Sequence, residues 1–172
     1  MKRVFSVLCC IALCSMPALA KEKAAARGAA MSDQQFVDFA AQTDMVEVNL
    51  GQTAQSVASA QPVKDYAQTI VTDHTADFHQ LYDAAHQANL TVPDAINTEH
   101  NKTMIAPFEK LKGAAFDRRY VQEMIAGHTK AIAVYKKEAA DAENPGLKSY
   151  AEQALPVLEK HLDAAKGLEK AK

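Results

Sequence analysis

Apolar positions recur at three- and four-residue spacing in four long stretches of the chain, and the alternating pattern of a strand is absent. The first stretch begins at Ser32, an N-cap residue with Gln35 at the capping-box position, and reaches about Ser59. The second opens at Pro62, suited to a first helical turn, and runs to about Asn89. "LTVPDAI" reads as a loop, and a shorter helix is predicted from about Asn97 to Lys112, ended by Gly113. A third long helix covers about Ala114 to Asp141. "ENPG" then turns the chain, with Asn144 as cap, and the last helix runs to about Leu168. Short turns within each pair of helices and a long crossing between the pairs predict an all-α fold. Its form is an antiparallel four-helix bundle over residues 32–172, with a short extra helix in the crossover.

Rotating each helix by 100° per residue shows what its apolar stripe contains. His74 shares its face with Ala67, Ile70, Phe78 and Leu81; His128 with Val121, Met124, Ile132 and Tyr135. His161 shares its face with Leu147, Tyr150, Ala154 and Val157; Glu47 with Phe36, Ala40, Thr43 and Ala54. Each long helix therefore carries one strongly polar residue at the middle of its inward face. Glu47 and His74 each lie about 13.5 residues from the first turn, and His128 and His161 about 16.5 from the second, so each pair is level across its hairpin. The register places one carboxylate and three imidazoles in one layer.

A buried carboxylate needs a partner. A divalent transition metal held by Glu47, His74, His128 and His161 would supply one, and this donor set suits Zn, Cu, Fe, Mn or Ni. The alternative is a metal-free network in which Glu47 pairs with a protonated histidine. His79 and His86 fall on the outer face of their helix, and His100 lies in the crossing segment; none has a predicted role. Asp77, one turn after His74, is a boundary residue able to support a ligand. Tyr135 and Tyr150 read as core residues with a hydroxyl handle. Pro156 is predicted to kink the last helix one turn before His161, and Gly127 to permit close approach beside His128.

The start of the chain reads as a signal peptide over residues 1–20. Lys2 and Arg3 precede the short apolar run "FSVLCCIALCSM", and "PALA" offers cleavage after Ala20. Residues 21–31, "KEKAAARGAAM", read as a flexible leader. Cys9, Cys10 and Cys14 all fall in the signal, which leaves the exported chain without thiolate ligands, Cys nucleophiles or disulfides. No small residue precedes Cys10 or Cys14, which disfavours a lipoprotein. The formal charge of −2 becomes about −4 on cleavage, so there is no basic footprint for nucleic acid. No later stretch is apolar enough to span a membrane. The expected location is periplasmic or secreted.

The segments "FVDFAAQTDMVEVNLGQTA", "VKDYAQTIVTDHTADF", "GAAFDRRYVQEMIAGHTKAI" and "LKSYAEQALPVLEKHL" carry a resemblance covering nearly all of the mature chain. It is to a bacterial family of exported ferritin-like proteins catalogued as a domain of unknown function, some of whose members are labelled outer membrane proteins. The resemblance implies a ferritin-like bundle and no established activity; Glu47, His74, His128 and His161 stand at that family's typical polar positions. The Glu-x-x-His pairs of di-iron ferritins are missing, and one core carboxylate would poorly neutralise two metals. Three function classes follow. The first is one metal ion bound for buffering, storage or sensing. The second is a metal-free envelope-stress or interaction module, and the third a metalloenzyme. Protein partners are not specified by the sequence.

Overall fold

The computed structural model describes residues 31–171; the signal peptide and nearly all of the leader expected from sequence lie outside them. All regular structure among the described residues is helical. Four long helices are α1 (Asp33–Val57), α2 (Gln61–Gln87), α3 (Gly113–Asp141) and α4 (Pro145–Lys170). None of the described helices is long and apolar enough to cross a membrane. Residues 58–60 fold α2 back along α1, residues 142–144 fold α4 back along α3, and the two hairpins pack together as a helical bundle.

The ends of the helices are set by local chemistry. At α1, the Gln35 amide donates to Ser32 Oγ at 3.2 Å and the Ser32 amide to Gln35 Oε1 at 2.9 Å, the reciprocal capping box. At α4, the Asn144 side chain accepts from the Gly146 and Leu147 amides. No side chain of its own segment caps α2. Asp117 of α3 accepts from the Ser59 and Ala60 amides and from Ser59 Oγ, tying the first hairpin turn to the second hairpin. The other end of α2 closes with Asn89 at φ 57° and with Leu90 N–H donating to Ala85 O, a Schellman arrangement that uses asparagine where glycine is commoner.

The crossing segment is not the single helix expected over residues 97–112. It is one α turn (Thr98–His100), one π turn (Asn101–Ile105) and one 3₁₀ turn (Ala106–Phe108). Pro107 lacks the amide that would continue an α ladder, so the pitch changes there and the segment stops at buried Phe108. Two α1 glutamines hold the irregular stretch that precedes it. Gln34 exchanges a pair of hydrogen bonds with the Thr91 backbone, and Gln42 bonds Ala95 O and Asn97 N.

Two apolar clusters form the core. One contains Phe36, Leu81, Ile132, Tyr135, Leu147 and Tyr150; the other Leu50, Ile70, Phe108, Phe116, Tyr120 and Met124. Along every long helix the residues of one cluster give way to those of the other, and the buried polar side chains Asp44, Glu47, His74, His128 and His161 fall between them. Val157, expected inside, is 36% exposed. The buried residues of α4 centre on Ala154, Leu158 and Ala165, so its stripe is rotated past His161, which lies towards one edge.

Candidate metal centre

Glu47, His74, His128 and His161 come from four different helices, and all four are at least 96% buried. The structure brings them together. Glu47 Oε2 is 3.1 Å from His74 Nε2 and 3.5 Å from His128 Nε2, and His128 Nε2 is 3.2 Å from His161 Nδ1. The three imidazoles offer nitrogens that all lie within 4.8 Å of one another. Around a metal with bonds of about 2.0–2.1 Å, the edges of a donor tetrahedron are about 3.3 Å. Those three separations bracket that length; the other imidazole pairs lie within 4.8 Å, and Glu47, close to His74 and His128, is not part of that converging set of three.

The orientation of each ring is fixed from outside. His74 Nδ1 is 2.8 Å from Asp44 Oδ1, His128 Nδ1 donates to Met124 O at 2.9 Å, and His161 Nε2 is 2.8 Å from Asp73 Oδ2. An N–H is needed at each of these outer atoms, because a carboxylate or carbonyl oxygen faces it. In a neutral ring the inward nitrogen then carries the lone pair. Imidazoles anchored through the second nitrogen in this way are typical of metal ligands.

Burial and charge set the protonation. Glu47 is driven down to about 2 despite burial, which opposes ionisation, because His128 and His74 face it. Burial lowers the pKa of His128 and His161, and the neighbouring imidazoles lower it further. His74 behaves oppositely. Burial works against its charge, but Glu47 and Asp44 outweigh it and raise its pKa well above the ordinary value. Asp44 is pushed up to about 7 by burial. Although His74 Nε2 and Glu47 Oε2 are close, neither has a well-directed hydrogen-bond partner.

Sequence reasoning missed part of this arrangement. Glu47 is not the only core carboxylate, because Asp44 is 1% exposed. It sits three residues before Glu47 and about 60° round the helix, a spacing that brings both carboxylates against one neighbour. Asp73 was also missed; it adjoins His74 in sequence but serves His161 across the α2–α4 seam. Asp77 supports the layer indirectly, accepting from Tyr150 O–H at 2.6 Å, and Tyr150 in turn meets Tyr135 O–H at 3.0 Å. His79 and His86 are exposed, as expected, and His100 bonds only its own cap residue, Asn97. Gly127 does permit close approach: a methyl group there would stand 3.4 Å from Glu47 Oε1.

Known proteins resemble the chain in sequence pattern and in fold. A family described as a domain of unknown function (DUF4142) matches residues 18–168. No curated protein matches. Two solved structures share the fold. CopM in the Cu(II)-bound form has a TM-score of 0.69 and 16% identity, covering 83% of this chain and 99% of that one. CopM in the Ag-bound form has a TM-score of 0.64 and 17% identity, covering 82% and 97%.

Proposed function

The chain belongs to the DUF4142 family, and from the polar layer in its core we propose that it binds one divalent transition-metal ion through Glu47, His74, His128 and His161. The observation that carries this reading is the set of inward-facing atoms. Three imidazole nitrogens whose partners across the ring are already committed lie within 4.8 Å of one another, and one ionised carboxylate oxygen stands 3.1 Å and 3.5 Å from two of the rings, with no donor among them when all three rings are neutral. Such acceptors need either a metal ion or an added proton among them, and a metal ion satisfies all of them at once. Nitrogen and oxygen donors of this kind accept Zn, Cu, Fe, Mn or Ni, and the ordering of divalent affinities favours copper. The Cu(II)- and Ag-bound forms of a protein of similar fold point the same way.

Four protein donors in a closed layer suit holding an ion, since catalytic sites keep a position open for substrate. Buffering, storage or sensing is therefore favoured over a metalloenzyme. In this reading the protein is a ferritin-like four-helix bundle in architecture, but a single-ion site in chemistry. Cleavage near Ala20 would deliver it to the periplasm or outside the cell.

One observation favours the metal-free alternative. The raised pKa of His74 beside the depressed Glu47 is what a buried ion pair produces. Elemental analysis and calorimetric titration of untagged protein with Cu(II) and Zn(II) decide between the two. One ion per chain, lost in both Glu47→Ala and His74→Ala and kept in His86→Ala, is the expected result. Absence of binding tighter than micromolar overturns the proposal in favour of the ion-paired network.

A further inference from the structure

Three surface clefts touch the polar layer: one, beside Tyr66 and Thr69, meets His161 alone of the three imidazoles, and the other two reach different sides of the layer. One, of about 560 Å³, follows the α2–α4 seam; Asp73, Asp77, Gln153 and Val157 line it together with the buried rings of His74 and His161. The other, of about 470 Å³, lies against α1, α2 and residues 94–96. Of the three imidazoles it meets His74 alone, together with Asp44, the residue that holds His74 Nδ1. Only the α2–α4 cleft presents two of the inward-facing rings, and one of them, His74, has a 98% buried Nε2-bearing side chain with no hydrogen-bond partner at that atom.

The three rings are not equally held. His74 is tied to a carboxylate that is itself buried, and His128 to a carbonyl of its own helix. His161 is tied to Asp73, whose side chain is 40% exposed in the cleft. His161 also lies off the centre of the α4 stripe, one turn after Val157, which is exposed. Pro156 removes the amide that would have bonded Glu152 O, so the turn leading to His161 lacks a rung of its ladder. One hydrogen bond at a half-exposed acceptor and a loosened turn make His161 the ligand with the least resistance to outward rotation.

We propose that the cation enters and leaves through the α2–α4 cleft, with Asp73 as the carboxylate that first captures it and His161 as the ligand that rotates out of the core layer to let it pass. This rests on the metal-binding reading above. Capture at Asp73 breaks its hydrogen bond to His161 Nε2–H; the ring rotates with its proton in place, and no proton is gained or lost in the step. Asp73 has two tasks, holding the ring inward in the closed state and attracting the cation in the open one. The first needs only an acceptor oxygen; the second needs the negative charge.

Stopped-flow loading with Cu(II), followed by extraction into excess EDTA, tests the route in the full mature chain. Val157→Trp and Gln153→Trp, which narrow the α2–α4 cleft, should each slow both loading and extraction about tenfold or more while the equilibrium affinity stays within about threefold. Asp73→Asn, which retains an acceptor for His161, should slow loading about tenfold through loss of local negative potential. Thr75→Trp, on the other cleft, should leave both rates unchanged. Using two tryptophan variants, each checked for its helical circular dichroism, keeps the result decisive if one of them misfolds. Slowing by Thr75→Trp alone, or equal rates in every folded variant, overturns the route while leaving the metal site standing. A wild-type chain that takes up no ion overturns both.

Discussion

His128 Nε2 lies 3.2 Å from His161 Nδ1, and in their neutral forms both atoms carry lone pairs. The proton of each ring is at the far nitrogen, on Met124 O for His128 and on Asp73 for His161. A hydrogen bond between them needs an additional proton, and burial lowers the pKa of both rings. Without a cation this contact is repulsive.

His128→Leu removes one of the two lone pairs and places an apolar side chain of similar volume between the two apolar clusters. The metal-free protein should become more stable by about 1–2 kcal/mol, since a buried polar group lacking a complementary partner costs that much. The rise in melting temperature that Cu(II) or Zn(II) gives the wild type should disappear. Thermal denaturation with and without metal checks both halves. A destabilised metal-free variant would show that the two rings attract.

Protons compete with the metal chiefly at His74. Its pKa is raised above the ordinary 6.5 by Glu47 and Asp44, so at neutral pH the metal-free ring carries a proton that ligation must expel. Binding should release about one proton per ion near pH 7, and affinity should climb as pH rises through the raised His74 pKa. Metal-free stability moves the other way. The His74 contribution is fully present below about 6.5 and is lost as pH rises through its folded pKa. The Glu47 contribution is present above about 4.5 and is lost as pH falls towards 2. The ion pair therefore supports the metal-free fold between these limits. Titrations in buffers of different ionisation enthalpy count the protons, and a count of zero at pH 7 would contradict a protonated His74.

The four inward polar residues were legible in the sequence because a helix repeats every 3.6 residues, and a charged or titratable group on an apolar stripe breaks the pattern visibly. Residues that hold the ligands from behind leave no such mark. Asp44 and Asp73 lie at stripe margins, where an acid ordinarily meets only solvent, and only the packing of a neighbouring helix gives each a buried ring as partner. Asp73 shows this most directly. It follows Thr72 and precedes His74 on α2, yet its partner is His161 on α4. The same limit explains Val157, which lies within 40° of His161; the rotation of α4 is fixed by how Ala151, Leu158 and Ala165 pack, and this carries Val157 to the surface. Pro107 was on view in the sequence, but the π turn over Asn101–Ile105 precedes it and leaves no mark in the apolar pattern.

Asp44 gives a test of how far the outer residues tune the site. Asp44→Asn keeps an oxygen acceptor for His74 Nδ1 but removes a negative charge that burial already disfavours, as its pKa of about 7 shows. Ring orientation should survive while the basicity of His74 falls. Metal affinity should drop about 10- to 100-fold, the usual scale for a residue that supports a ligand. The metal-free fold should be retained. Calorimetric affinity with circular dichroism checks it, and unchanged affinity would reduce Asp44 to a positional role.

Another buried acid, Glu138, lies away from the metal layer, at the end of α3. Glu138 is 7% exposed, and its Oε1 has no hydrogen-bond partner. Burial, then the charges of Asp33 and Asp141, raise its pKa from 4.5 to about 7. The helix C-terminus, itself negative, opposes the charge further. An acid whose folded pKa exceeds its unfolded one favours folding only while protonated. Its cost is absent below about 4.5, grows as pH rises, and is complete above about 7. Glu138→Gln retains the shape without the charge. Its melting temperature should exceed that of the wild type by ~2–4 °C above pH 7, and the difference should vanish below pH 4.5. A pH series of melting curves reads this directly. A constant difference across the range would place the effect in packing, and a lower melting temperature at pH 8 would mean that the Glu138 carboxylate is stabilised there.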